Sequence, residues 1–389
     1  MASTTFVDNQ TIIMASWMND ANTTVYSTVP ANTAAISAET IRATTAEGVA
    51  TTAIAAEGVT RAAADSLLRS LTNDSFTSIN SGQIGGFRNR IINGDMQVSQ
   101  VNGTTAVTPA TNGTYPLDQW QYTCSLGSKL TFQQVVDAPA GFKYSTKITV
   151  ASQYSPAVGD AFLYKQPIEG QNIVDFQLGT AGAVTLATSN YIKGSVAGVY
   201  AVSVVNGASN RSYVGTINVT TAWSKVVITL VGDTTGTWAT DNTAGLFWQL
   251  DLGSGTNYNT TANTWQAGFF LRTAGSVSFV NQVAGSTLNI TGVQLTQVSP
   301  GATSDTSFEH VPYATQLSWC QRYQILLENI IVDTGTSIFS TILPVKMRAQ
   351  PTWSGGGAGF AANGFTNGQS GYLSQTTRGT QQLVVTSQM

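Results

Sequence analysis

Charge is what this sequence has least of. Asp, Glu, Lys and Arg make up 10% of its 389 residues, against roughly 25% in an average soluble protein. With 17 basic and 20 acidic residues the net charge is -3. That leaves no cationic surface for phosphate backbones and no attraction to an anionic membrane, so neither a nucleic-acid partner nor membrane insertion is expected. Histidine is nearly absent too. The single one, His310, excludes multi-histidine zinc sites and argues against a Ser-His-Asp triad. It reads as structural, beside Glu309 and close to Pro312. The two cysteines, Cys124 and Cys320, lie far apart without metal-ligand spacing and read as free thiols. No metal and no cofactor is expected. No apolar run is long enough to cross a bilayer, and the polar opening MASTTFVDNQ lacks a signal-peptide core. A role outside the cell would then require lysis or assembly into a particle. The glycine cluster Gly355 to Gly359 lacks the Gly-Lys-Ser/Thr ending of a phosphate loop. Short fixed-period repeats of the β-helix kind are also missing.

What is present changes texture along the chain, and the length suggests two or three domains. Residues 1–30 carry too few large apolar side chains for a core of their own, but enough to bury against a partner. Phe6, Trp17, Met18 and Tyr26 are the candidates, and Pro30 is expected to close this unit. Residues 31–75 are rich in Ala, Glu and Arg, all good helix formers. A fragment recurs at Ala38-Glu-Thr-Ile, Ala46-Glu-Gly-Val and Ala56-Glu-Gly-Val, its outer copies 18 residues, or five turns, apart on one face. Ile36, Ala43, Ala46, Ala50 and Ile54 lie on a small apolar stripe suited to mating with identical helices. Gly48 and Gly58 each weaken a helix by about 1 kcal/mol, which predicts a short, broken or staggered coil.

From residue 76 onward the pattern is β. Period-2 alternation runs through Tyr144–Val150, Leu246–Leu252 and Ser276–Phe279, and Lys225–Val231 reads as a more fully buried strand. Asn-Gly pairs at 93–94, 102–103, 112–113 and 206–207 mark turns. Many short strands with frequent turns argue a β-sandwich over 76–312. One helical interruption, Tyr313–Tyr323, opens a last unit of 313–389 with strands at Ile325–Val332 and Ser337–Leu343. The class is therefore mainly β.

These residues resemble a known group, the tail fibre and tailspike proteins of short-tailed bacteriophages and prophages. The opening Met-Ala-Ser-Thr-Thr-Phe-Val and Trp17-Met-Asn-Asp20 look like their virion-attachment end, and the repeats at 38–59 like the coil that follows. Asn89-Arg-Ile-Ile-Asn-Gly-Asp-Met96, Leu117-Asp-Gln-Trp120, Gly292-Val-Gln-Leu295, Phe308-Glu309, Cys320-Gln-Arg-Tyr323 and Pro344-Val-Lys-Met-Arg-Ala-Gln-Pro351 are similar to recurrent motifs of the family's body. Family members often carry Arg where Gln119 stands and an acidic residue where Thr296 stands, so any salt bridge there is absent. The resemblance implies a homotrimer with a jelly-roll-like, carbohydrate-binding-like domain. Its N-terminus would join another tail protein of the virion (an adaptor or nozzle), and its body would touch a host glycan or outer-membrane receptor. An adaptor fibre carrying a second receptor-binding protein is the structural alternative.

Sugars stack on aromatic rings while amides, carboxylates and hydroxyls bond their hydroxyl groups. Trp238, Asp241, Asn242, Tyr258 and Trp265 share polar, turn-rich loops and are the candidate glycan-binding residues. The bland reading has each tryptophan plugging an end of the sandwich core. Glycan cleavage would need two carboxylates about 5–9.5 Å apart. Asp160, Glu169, Asp175, Asp233, Asp241 and Asp251 are available, but nothing pairs them, so no enzymatic activity is expected and a polysaccharide depolymerase is the lesser alternative.

Overall fold

The computed structural model describes residues 15–25, 29–74, 78–79, 82–83, 87–298, 307–332, 335–355, 360–363, 370–375 and 379–389. The chain divides into two units, Met1–Phe76 and Thr77–Met389. Phe6 and Tyr26 lie outside the described residues.

The first unit is helical. A short helix α1, Ala15–Thr23, carries Trp17 and Met18, 43% and 53% exposed. Helix α2 then runs from Val29 to Asp74, 46 residues, or about 69 Å at ~1.5 Å per residue. It corrects two expectations. Pro30 does not close the preceding unit but stands in the first turn of α2, where a missing N–H breaks no helical bond. Gly48 and Gly58 do not interrupt the helix. Their small propensity cost is spread over an alanine-rich segment, and Arg42–Glu39 and Arg61–Glu57 ion pairs bridge adjacent turns.

The second unit is a jelly-roll-like sandwich followed by a smaller β unit. A tiny hairpin, β1 (Ser78–Ile79) and β2 (Gly82–Gln83), precedes it. The sandwich strands are β3 (Thr114–Leu117), β4 (Trp120–Cys124), β5 (Leu130–Val135), β6 (Ser145–Val150), β7 (Phe162–Glu169) and β8 (Leu186–Gly194). They continue as β9 (Gly198–Asn206), β10 (Arg211–Val219), β11 (Ser224–Leu230), β12 (Ala244–Asp251), β13 (Trp265–Ala267) and β14 (Thr287–Gln297). One sheet has seven strands in the order β13-β10-β9-β12-β7-β4-β3, the other five in the order β11-β8-β14-β6-β5.

Alternation explains the layers. Thr146, Ile148 and Val150 of β6, and Leu246, Trp248 and Leu250 of β12, are all buried, as side chains two apart on one strand face must be. In the centre Trp120 stacks on Tyr164 at 5.0 Å and meets Trp248 edge-on at 5.6 Å. Their indole N–H groups donate to the Asn93 carbonyl and the Thr188 hydroxyl, so burial leaves no donor unpaired.

Two strand expectations need correction. Ser276–Phe279 forms no strand; Phe279 opens a 3-10 turn through Asn281. The apolar run from Lys225 is not fully buried, because β11 is an edge strand. Ile228 and Leu230 face inward, while Val231 is 70% exposed.

Helix α3, Tyr313–Gln321, leads into the last unit. Its strands are β15 (Gln324–Val332), β16 (Gly335–Ile342), β17 (Thr352–Gly355), β18 (Phe360–Asn363), β19 (Ser370–Gln375) and β20 (Gly379–Thr386). They form two three-stranded sheets, β15-β20-β17 and β16-β19-β18. Ile325, Leu343, Met347, Leu383 and Val385 make its small core.

Candidate functional site

At one end of the sandwich the motif residues converge. Glu309 accepts hydrogen bonds from the backbone N–H groups of Phe87 and Asn89, both at 2.8 Å. Its own N–H donates to the Gln294 side chain at 2.9 Å. This clamp holds Phe87 at φ +64, a conformation costing a non-glycine residue of order 1–3 kcal/mol unless its surroundings enforce it. Asn89 continues the seam: its amide donates to the Val293 carbonyl and accepts from the N–H groups of Ile91 and Leu295.

Opposite, β7 ends in Glu169, fully buried. Its carboxylate accepts two bonds from the Arg322 guanidinium at 2.8 and 2.9 Å and one from the Tyr323 hydroxyl at 2.6 Å. The paired carboxylate raises the pKa of Arg322, and burial, then the neighbouring Glu169, raises that of Tyr323. Two 3-10 turns after β7, Gly170–Asn172 and Val174–Phe176, present Gln171, Asn172 and Asp175.

Between these elements lies a cleft of about 420 Å³ lined by Phe87, Asn89, Arg90, Ile92, Gln171, Asn172, Asp175, Trp319, Arg322 and Tyr323. Phe87, 53% exposed, meets Trp319 of α3 edge-on at 4.9 Å. Arg90 pairs with Asp175, donates to the Phe87 carbonyl, and lies 5.3 Å from the centre of the Phe176 ring. Its buried Nε has no hydrogen-bond partner among the described residues. Each guanidinium is matched by a carboxylate, so the cleft is close to neutral. Aromatic rings beside the Gln171 and Asn172 side chains can hold an uncharged polyhydroxylated ligand.

The residues singled out by sequence lie elsewhere. Trp238 and Trp265 do meet, edge-on at 5.6 Å, but both pack against the core. Trp238 is 9% exposed, and the two indole N–H groups are taken by the carbonyls of Thr235 and Val231. Tyr258 donates to the Gly159 carbonyl and packs on Phe269. Asp241 binds the hydroxyl and backbone N–H of Thr243, which hold its carboxyl below the usual range. Asn242 donates to the Arg348 carbonyl. Only the backbone of this loop approaches the cleft, where the Asp241 carbonyl accepts from the N–H of Gln171. On α2, Ile36 and Ile54 are 67% and 73% exposed, Ala46 and Ala50 are exposed, and Ala43 is half-buried.

Each of the other carboxylates has a donor of its own. Asp160 binds the Tyr154 hydroxyl and the Ala157 N–H. Burial alone would raise the Asp233 carboxyl, but the Arg211 guanidinium and Thr235 hold it low. Asp251 sits 3.7 Å from Arg272 and accepts from the Ser254 N–H, and burial raises its pKa. Gln119 Nε2 and Thr296 Oγ1 are buried, with no hydrogen-bond partner among the described residues. Cys124 and Cys320 are free and buried. His310 is exposed and packs on Phe142 and Phe308.

Asn89, Arg90, Arg322 and Tyr323 stand in separate sequence motifs, and nothing in those motifs shows the cleft they line. Phe87 and Trp319 were not singled out at all. The available signal was the spread of motifs over more than 200 positions, which only the fold folds together.

No family model matches this chain, and no curated protein does. Among solved structures, the enzymatically active domain of bacteriophage CBA120 tailspike protein 4 is similar over 55% of this chain and 22% of its own, at 11% identity and TM-score 0.31. TmCBM61 in complex with β-1,4-galactotriose is similar over 54% of this chain and 99% of its own, at 10% identity and TM-score 0.28. The family 11 carbohydrate-binding module from Clostridium thermocellum, in complex with a mixed-linked tetrasaccharide, covers 49% of this chain and 96% of its own, at 11% identity and TM-score 0.26. None of these likenesses bears on what this chain binds.

Proposed function

We propose that this chain is a trimeric tail fibre of a short-tailed phage, joined to the virion by residues 1–30 and adhering to a host-surface saccharide through the cleft beside α3. The observation that carries the adhesion is the Phe87–Trp319 pair, set among amides in a charge-balanced cleft. Exposed apolar side chains along α2 support assembly with identical helices. Three copies of a weak site on one rigid body gain avidity without new contacts. The reading is adhesion rather than cleavage: Glu169 is fully buried, which leaves Asp175 as the exposed carboxylate among the described cleft residues, where cleavage needs two.

The test is labelling of phage-sensitive cells by the fluorescent full-length protein, with receptor-deficient resistant cells as control. Wild-type protein is expected to label only sensitive cells, and Trp319→Ala to weaken labelling at least tenfold while leaving the circular dichroism spectrum unchanged. A folded trimer that labels neither cell type overturns the adhesin reading and favours an adaptor carrying another receptor-binding protein.

A further inference from the structure

The outward face of the five-stranded sheet carries a second surface, of different charge. Strand register sets Gln133 of β5 opposite Lys147 of β6, Lys147 opposite Asn289 of β14, and Asn289 opposite Lys193 of β8. The row crosses four strands and spans about 14 Å at the usual ~4.8 Å strand spacing. Beside it runs a hydroxyl row of Thr131, Thr149 and Thr287, again directly opposite one another. Ser195 closes that row through reciprocal bonds with Thr287, each 2.8 Å. Lys147, Lys193, Asn289, Thr287 and Ser195 line a groove of about 390 Å³.

One end of the groove is built around Asp137. It pairs with the Lys193 ammonium at 2.7 Å and accepts from the Trp223 indole N–H at 3.3 Å. The same ammonium lies 5.2 Å from the centre of the Trp223 ring. This arrangement pins Lys193 and fixes a half-buried aromatic ring at the rim. Lys147 makes no direct salt bridge among the described residues, though its charge helps Lys193 hold the Asp137 carboxyl low. Two ammonium groups and one carboxylate leave the groove with an excess positive charge, on a chain whose net charge is -3.

We propose that this groove binds an acidic, uronate-type saccharide laid across the strands. Lys147 meets the sugar carboxylate, the Thr287 and Ser195 hydroxyls bond its hydroxyl groups, and Trp223 stacks under a ring at one end. A carboxylate facing an ammonium that makes no direct salt bridge gains more than one facing a contact pair. This site is independent of the cleft at α3, whose charges cancel.

The test is calorimetric titration of the full-length protein with oligomers of galacturonate, glucuronate and sialic acid, each beside its carboxyl-reduced, neutral form. At least one acid form is expected to bind tenfold or more tightly than its reduced partner. That binding should weaken as salt rises and fall at least tenfold in Lys147→Gln. Trp319→Ala, which disables the α3 cleft, should leave it unchanged, so failure of one site is distinguishable from failure of the other. Salt dependence is read on the wild-type protein and does not rest on any variant folding. Equal binding of acid and reduced forms, or an unchanged Lys147→Gln, overturns the proposal.

Discussion

The two units of this chain solve the problem of burying apolar groups in opposite ways. In the sandwich, Trp120, Tyr164 and Trp248 are fully enclosed within one chain. On α2, Ile36, Ile41, Val49, Ile54 and Val59 are 66% to 73% exposed. Isolated helices gain little stability from propensity alone and depend on packing of an apolar face. The sandwich therefore has a core of its own, while α2 leaves its large apolar side chains outside. The 18-residue spacing of Ile36 and Ile54 repeats at five straight turns, which suits close parallel neighbours with little supercoil.

The sharpest way to break this contrast is to count chains. Sedimentation equilibrium of the full chain is expected to give three times its 40.9 kDa mass. Ile36→Asp with Ile54→Asp should reduce it threefold to the single-chain value. A wild-type protein that sediments as one chain would mean that α2 stands alone, and the contrast fails.

The next largest effect belongs to the seam within the second unit. Arg322→Ala leaves the wholly enclosed Glu169 carboxylate with the Tyr323 hydroxyl and the Gln171 amide as donors but no cation, and removing one partner of a buried pair costs about 3–5 kcal/mol. Urea unfolding should show that loss with the helical signal of α2 unaffected. Loss of both signals together would show that the two units unfold as one.

A smaller effect tests the outer face of the seven-stranded sheet. Lys165 lies 4.7 Å from the centre of the Phe247 ring, and burial lowers its pKa to about 8. Between that value and the unfolded value near 10.4, the unfolded chain holds more protons than the folded one. Stability should then rise with pH across this window. Lys165→Met is expected to flatten that rise, measured by thermal unfolding at pH 7.5 and pH 10.

The elements themselves were legible where periodicity is local. Tyr313–Gln321 as helix and Ile325–Val332 as strand follow from patterns a few residues long. Ser276–Phe279 misled because two alternations are too few to distinguish a strand from a 3-10 turn. Lys225–Val231 misled because an apolar run says nothing of whether its strand sits at a sheet's edge. The α3 cleft was illegible for a different reason. Phe87 and Trp319 are 232 positions apart, and neither has polar loop neighbours of the kind that drew notice to Trp238. The lysine groove is likewise a product of register: Lys147, Asn289 and Lys193 align only once β6, β14 and β8 are paired.

The Glu309 clamp has a mechanical consequence. The chain enters the sandwich at Phe87 and leaves it at Glu309, and one carboxylate ties these two points together. Behind it, Asn89 bonds to Val293 and Leu295, and the Arg90 N–H donates to the Leu295 carbonyl. The two ends of the sandwich are thus stitched side by side, so a cut in a loop between strands would leave both ends of its chain still fastened.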